Sequence, residues 1–121
     1  MAYDSNNIFA RILRGEIPCN KVYEDQHVLA FHDIHPQAPT HILVIPKGAY
    51  VSFADFSERA TPDEITGFFR AAGLIARQAG VDATGYRLIS NHGRDSHQDV
   101  PHFHLHILAG RPLGPLLLRQ G

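Results

Sequence analysis

Tryptophan is absent, cysteine and methionine occur once each, and charge of neither sign is in surplus. With Cys19 as the only cysteine, no disulfide can close within the chain, which suits a reducing compartment. The fold must then rest on its core. A chain of 121 residues can supply one, since about 65% of the unfolded surface is buried at such a length. Lysine plus arginine number 11 against 12 for aspartate plus glutamate, a formal charge of -1. That balance argues against a nucleic-acid backbone as the main partner. No apolar run approaches the ~20 residues that span a bilayer, so no membrane partner is expected. The opening MAYDSNN has no basic or apolar leader, so no signal peptide is expected and a cytoplasmic location follows.

Repeats, low-complexity tracts and linker-like stretches are lacking too, which predicts a single domain over residues 1–121. NIFARILRG sets Ile8, Phe9, Ile12 and Leu13 on one helical face before Gly15, the pattern of a short helix. KVYED and VLAFHDI flank Gln26-His27 as a hairpin would. His41 to Pro46 reads as a buried strand, introduced by Pro36 and Pro39. The strongest helix signal starts at Thr61, an N-cap with Pro62 at the first position and Glu64 closing a capping box. Ile65, Phe68, Phe69, Ala72, Ile75, Ala76 and Ala79 continue as an apolar stripe, and Gly80 stops it. Tyr86 to Asn91 reads as a strand, followed by the polar loop HGRDSHQDVP. The order predicts an α+β class with a mostly antiparallel five-stranded sheet and two helices.

Nine histidines are an excess, and three of them fall in VPHFHLHILAG, from Val100 to Gly110. In an extended strand, His102, His104 and His106 share one face while Phe103, Leu105 and Ile107 share the other. The apolar face reads as core. For the imidazole face three readings stand side by side. It is a solvated strand face, a zinc site built on histidines two apart, or a site for phosphorus chemistry. Against zinc, no C-x-x-C or H-E-x-x-H accompanies it. For phosphorus chemistry, a neutral imidazole is a nucleophile near neutral pH once its other nitrogen donates to a fixed acceptor. Neighbouring imidazoles can stabilise phosphoryl charge, and the polar loop upstream can turn backbone N–H groups toward the same anion. Tyr50, His35 and His97 are read as surface.

The pattern His-φ-His-φ-His-φ-φ, with φ apolar, resembles the signature of the histidine triad (HIT) family. IFARILRGEIPCNKVYEDQHVLAFHDIHPQAPTHILVIPK, GYRLISNHG and SHQDVPHFHLHILAGR extend the resemblance, in order, to the Hint branch of purine nucleoside phosphoramidases. The resemblance runs from Ile8 to Arg111 and implies a HIT-like fold. By that resemblance His104 is the nucleophile that carries a nucleoside monophosphate, later released by water. His106 would contact the α-phosphate and leaving group, with His102 and His41 in the hydrogen-bonded set behind His104. Asn91 would touch ribose or phosphate, and Gln98 with the amides of Asp99 and Val100 would cradle the phosphate. Ile17, Phe31 and Ile34 would wall the purine, and Asp33 would accept from both ribose hydroxyls, a bidentate match for a vicinal diol.

The implied substrates are purine nucleoside monophosphate derivatives, with no cofactor and no metal, because the histidines supply the positive charge. A homodimer joined through its sheets is also implied. Rival readings are a dinucleoside polyphosphate or adenylyl sulfate hydrolase or nucleotidyl transferase on the same site, and a non-catalytic nucleotide-binding or scaffold protein. Three features depart from the family pattern. Asp99 stands where close relatives carry Ser or Thr. Asn7, Ala10 and Ala49 stand where some bacterial relatives hold structural zinc, so no metal is expected. The tail RPLGPLLLRQG lacks the aromatic stretch of the animal branch, though Leu113 and Leu116 to Leu118 fit an apolar dimer arm.

Overall fold

The computed structural model describes residues 2–117, so Leu118 of the expected apolar arm lies outside the described residues. A short helix α1, Ile8–Leu13, leads into strands β1, Lys21–Glu24, β2, Val28–His32, and β3, Thr40–Pro46. Helices α2, Phe53–Arg59, and α3, Pro62–Gln78, follow, then β4, Tyr86–Ile89, and β5, Leu105–Ala109. A single 3-10 turn, Arg94–Ser96, lies in the loop between the last two strands. The five strands form one sheet in the order β1-β2-β3-β5-β4, every neighbouring pair antiparallel. The expected α+β architecture is there, with one helix more than the two predicted.

Local chemistry accounts for the helix starts. Asn7 caps α1, its side-chain oxygen accepting from the Ala10 N–H at 2.9 Å. Thr61 and Glu64 form the predicted capping box, the Thr61 hydroxyl and the Glu64 carboxylate each accepting from the other's backbone N–H. The unpredicted α2 is capped by Ser52, whose hydroxyl accepts from the Asp55 N–H. Only Phe56 of α2 is buried, so seven residues gave too short a period to register as a stripe. On α3, Phe69 and the C-cap residue Ala79 of the expected stripe face outward, and Ala71, outside that stripe, is buried.

The sheet is covered on both faces. Ile42, Val44, Phe103, Leu105 and Ile107 meet Phe56, Phe68, Ala72 and Ile75 from the helices. Phe68 and Phe103 are fully buried, each contributing about 1.5–3 kcal/mol by area removed from water. Across the sheet a smaller cluster joins Leu29, Phe31, Leu43 and Ile45 to Phe9 of α1. The imidazoles belong to this second face. Leu43 pairs with His106 and Phe31 with Leu43, and paired residues share a face. The solvated-strand reading therefore fails: His102 is 0% exposed. Tyr50, expected at the surface, is 8% exposed. Its hydroxyl donates to Glu64 at 2.7 Å, and the Arg59 guanidinium lies 4.9 Å above its ring. His35 and His97 are at the surface, as expected.

Candidate active site

The histidine stretch is only half a strand. Val44 pairs with Leu105, so the next step of that register would set Pro46 against Phe103. Proline has no N–H to donate, and the ladder stops. His102 and His104 thus precede β5, a correction to the expectation that all three histidines lie within one strand. Other groups satisfy the backbone there. The Phe103 N–H donates to the Tyr50 carbonyl at 2.7 Å, and the Ser90 hydroxyl donates to the His104 carbonyl at 2.9 Å.

The freed carbonyls serve the imidazoles. His104 Nδ1 lies 2.8 Å from the His102 carbonyl, and His102 Nε2 lies 2.9 Å from the Pro46 carbonyl. A carbonyl only accepts and a backbone N–H only donates, so these partners assign the tautomers of the neutral rings. His104 carries its proton on Nδ1 and has a bare lone pair at Nε2. His102 carries its proton on Nε2, and its Nδ1 accepts from the Tyr3 hydroxyl at 2.6 Å. The Gln37 N–H donates to His41 Nδ1 at 3.1 Å, so the His41 proton is on Nε2. From there it is donated to His106 Nδ1 at 2.8 Å, which leaves the His106 proton on Nε2. Phe9 meets the His104 ring edge-on, with centroids 4.9 Å apart.

Burial keeps two of these rings uncharged. It lowers the pKa of His102 to about 4 and, with help from the His104 and His41 charges, that of His106 to about 4. His41 is lowered by burial as well, against the pull of Asp33, whose Oδ2 lies 3.4 Å from His41 Nε2. The expected source of positive charge is therefore not standing imidazolium. At neutral pH, His106 offers an oriented Nε2–H dipole, while the His102 N–H is held by the Pro46 carbonyl.

Beside this row lies a cleft of about 200 Å³ that brings together Ile17, Phe31, Asp33, Ile34, Asp99 and Val100. The apolar wall is wider than the sequence suggested, with Phe9, Ile12, Cys19 and Leu43 completing it. The i, i+3 spacing of Phe9 and Ile12 on α1 was the signal available for two of them. Ile34 is 79% exposed and stands at the rim. Asp33 Oδ1 accepts from the His35 N–H at 2.8 Å, which holds the carboxylate at the strand end. Asn91 lies apart from this cleft, in a smaller one with His41 and His106.

Gln98 is committed elsewhere. Its amide donates to the Val51 and Val100 carbonyls at 2.7 and 3.1 Å, while its oxygen accepts from the Gly93 N–H at 3.0 Å. It pins the loop that carries Asp99 and Val100. Gly93 turns that loop at φ 79 and ψ -173, a conformation open essentially to glycine alone.

Two sets of side chains bear on metal binding. Asn7 spends its oxygen on the α1 cap and its amide on the Asp4 carbonyl, and Ala10 has no donor, so these positions do not fit zinc. Asp33, His41 and His106 do place ligand atoms within 4.8 Å of one another. Yet the two nitrogens stand 2.8 Å apart, a hydrogen-bond spacing, whereas tetrahedral zinc would spread them to roughly 3.3 Å.

Fold and site together define an α+β protein with four histidines in fixed tautomers beside an apolar cleft: the His102 carbonyl anchors His104, whereas His41, expected behind His104, bonds to His106. More narrowly, the chain belongs to the HIT family: the HIT domain pattern matches residues 14–113. It is 66% identical over 117 residues to a 13.2 kDa HIT-like protein of Azospirillum brasilense, covering 97% of this chain and 96% of that one. Purine nucleoside phosphoramidase of Escherichia coli is 49% identical over 117 residues, covering 94% and 95%. Among solved structures, a histidine triad protein from Clostridium difficile superposes with a TM-score of 0.85 at 45% identity, over 94% of this chain and 98% of that one. A histidine triad nucleotide-binding protein from Candida albicans gives 0.77 at 26% identity, over 96% and 87%. Among the described residues, no helix is long and apolar enough to cross a membrane.

Proposed function

We propose that the protein hydrolyses the P–N bond of purine nucleoside 5′-phosphoramidates, of the AMP-amine or aminoacyl-AMP type, through a nucleotidyl group on His104. One observation carries the reading. The His104 ring is held by its Nδ1–H on a backbone carbonyl, which frees Nε2 as a nucleophile beside a cleft-lining residue, Asp99. The name of the 49% identical Escherichia coli relative supports the substrate class.

In this reading the purine lies between Ile17, Phe31 and Ile34, and Asp33 accepts from the ribose hydroxyls. Phosphorus then sits within about 3–3.5 Å of Nε2, a near-attack distance. The His104 Nε2 lone pair forms a bond to phosphorus as the P–N bond breaks. The departing nitrogen takes the bonding pair and needs one proton, drawn from solvent at the open mouth. His106 Nε2–H and the Asp99 and Val100 amides donate to the phosphoryl oxygens, where charge grows. The adduct leaves His104 cationic, with Nδ1–H on the His102 carbonyl. Water then bonds to phosphorus, loses a proton to solvent, and returns the electron pair to Nε2. Asn91 reaches the phosphate from the His106 side.

The assay is AMP release from an adenosine 5′-phosphoramidate. His104→Ala is expected to lower kcat/KM by at least about 10³-fold, as loss of an attacking group does. Turnover retained by that variant would sink the mechanism. The scaffold reading is disfavoured because binding alone does not need four rings in fixed tautomers.

As for assembly, we propose a homodimer through the free edge of β4, with reducing cytoplasm as its setting. Tyr86 and Leu88 are outward-facing apolar residues on that edge strand. Arg87 holds the Gly114 carbonyl at 2.8 Å, which keeps the exposed Leu116 and Leu117 beside it. An unpaired edge with apolar side chains is a template for a second copy. Light scattering should then give twice the chain mass; a monomer at micromolar concentration would refute it.

A further inference from the structure

We propose that Asp99 selects the leaving group: its carboxylate favours departing amines, above all those with a second positive charge such as diamines, and rejects anionic leaving groups such as phosphate and sulfate. The inference rests on the phosphoramidate reading above and sharpens it.

The geometry is specific. Asp99 Oδ1 lies 3.8 Å from His104 Nε2, the atom with the bare lone pair. Its side chain is 70% exposed, against 3% for that of His104, so the carboxylate sits where the buried nucleophile meets solvent. In-line attack sends the leaving group away from the nucleophile, toward that open side. No lysine or arginine nitrogen lies within 4.0 Å of the Asp99 carboxylate among the described residues, whose one basic partner at that range is His104. The negative charge is therefore not cancelled locally.

Such a charge works against an anhydride, whose departing phosphate or sulfate is itself anionic. It works for an amine. During P–N cleavage the bridging nitrogen takes a proton from solvent and becomes –NH2(+)– on phosphorus. As His104 Nε2 bonds to phosphorus, the P–N pair leaves on nitrogen and the amine departs neutral. The cationic form before departure is the one a carboxylate alongside would stabilise. A hydroxyl at this position would donate a hydrogen bond without regard to charge, so the carboxylate changes which substrates are admitted.

The test compares wild type, Asp99→Asn and Asp99→Ser on three substrates that share adenosine 5′-phosphoryl. These carry a diamine, a simple alkylamine and sulfate as leaving groups. Circular dichroism verifies folding. Removing one unit charge this close should lower the diamine-to-sulfate ratio of kcat/KM at least about tenfold, with the alkylamine between. In wild type, raised salt should move the ratio in the same direction. A ratio unchanged within about twofold in both variants, while wild type cleaves the amines and His104→Ala does not, overturns the role of Asp99 alone. Failure of wild type to cleave either phosphoramidate, or cleavage that survives His104→Ala, overturns the underlying reading as well.

Discussion

Acid should unfold this protein earlier than its carboxylates alone would dictate, because its buried histidines resist protonation, His102 and His106 most strongly. The His102 ring has no solvent contact. Its Nε2–H is spent on the Pro46 carbonyl, and its Nδ1 accepts from Tyr3. Protonating Nδ1 means turning the Tyr3 hydroxyl away and burying a charge. The folded pKa is accordingly pushed from 6.5 to about 4, chiefly by burial. Between these values the unfolded chain binds the proton and the folded chain does not, so stability falls as pH falls. The contribution is complete above pH 6.5, is lost down to about pH 4, and is flat below. The whole gap is about 3 kcal/mol. About 2 kcal/mol of it falls between pH 7.5 and pH 5, a window in which the well-paired Glu24 and Asp55, both held to about 2, stay ionised. The comparison is His102→Gln, whose amide can donate to Pro46 and accept from Tyr3 without titrating. Urea midpoints read by circular dichroism at fixed protein concentration, at both pH values, give the difference. Wild type should lose about 2 kcal/mol more than the variant over the window. Equal losses, within about 0.5 kcal/mol, would refute the assignment.

Two other outcomes follow from the same network. Tyr3→Phe leaves a buried ring nitrogen without its donor and should cost about 1–3 kcal/mol, read in the same urea titration; a loss under 0.5 kcal/mol would mean that Tyr3 does not hold His102. Nitrogen-15 spectra of the side chains at pH 7.5 should show His104 as the Nδ1–H tautomer and His41, His102 and His106 as Nε2–H. An Nε2–H signal for His104 would remove the proposed nucleophile.

Much of the architecture was legible because local signals agreed with one another. Thr61, Pro62 and Glu64 announced α3, and Gly80, with φ 75, closed it. The hairpin around Gln26-His27 and the strand before Pro46 appeared where the apolar runs placed them. Period alone failed where contacts came from elsewhere. α2, capped by Ser52, buries one phenylalanine, too little for an apolar stripe to mark it. Tyr50 reads as surface in the sequence; it is buried in one cluster with Phe103 and bonded to Glu64, both distant in sequence. Alternation correctly put His102, His104 and His106 opposite Phe103, Leu105 and Ile107. It could not say that the imidazole face is covered by Phe9, or that Pro46 ends the ladder and releases carbonyls to the rings. The cleft residues Ile17, Phe31, Asp33 and Ile34 came from resemblance, and the structure brings them together. Gln98 is a residue whose chemistry was apparent and whose geometry was not: its amide ties the loop to Val51 and to itself.

The central claim is that His104 Nε2 bonds to phosphorus before water does. The stereochemical course at an isotopically chiral phosphorus tests it most directly. Two successive in-line displacements predict retention of configuration in the released nucleotide; inversion would mean that water attacks in one step, with no bond ever formed to His104.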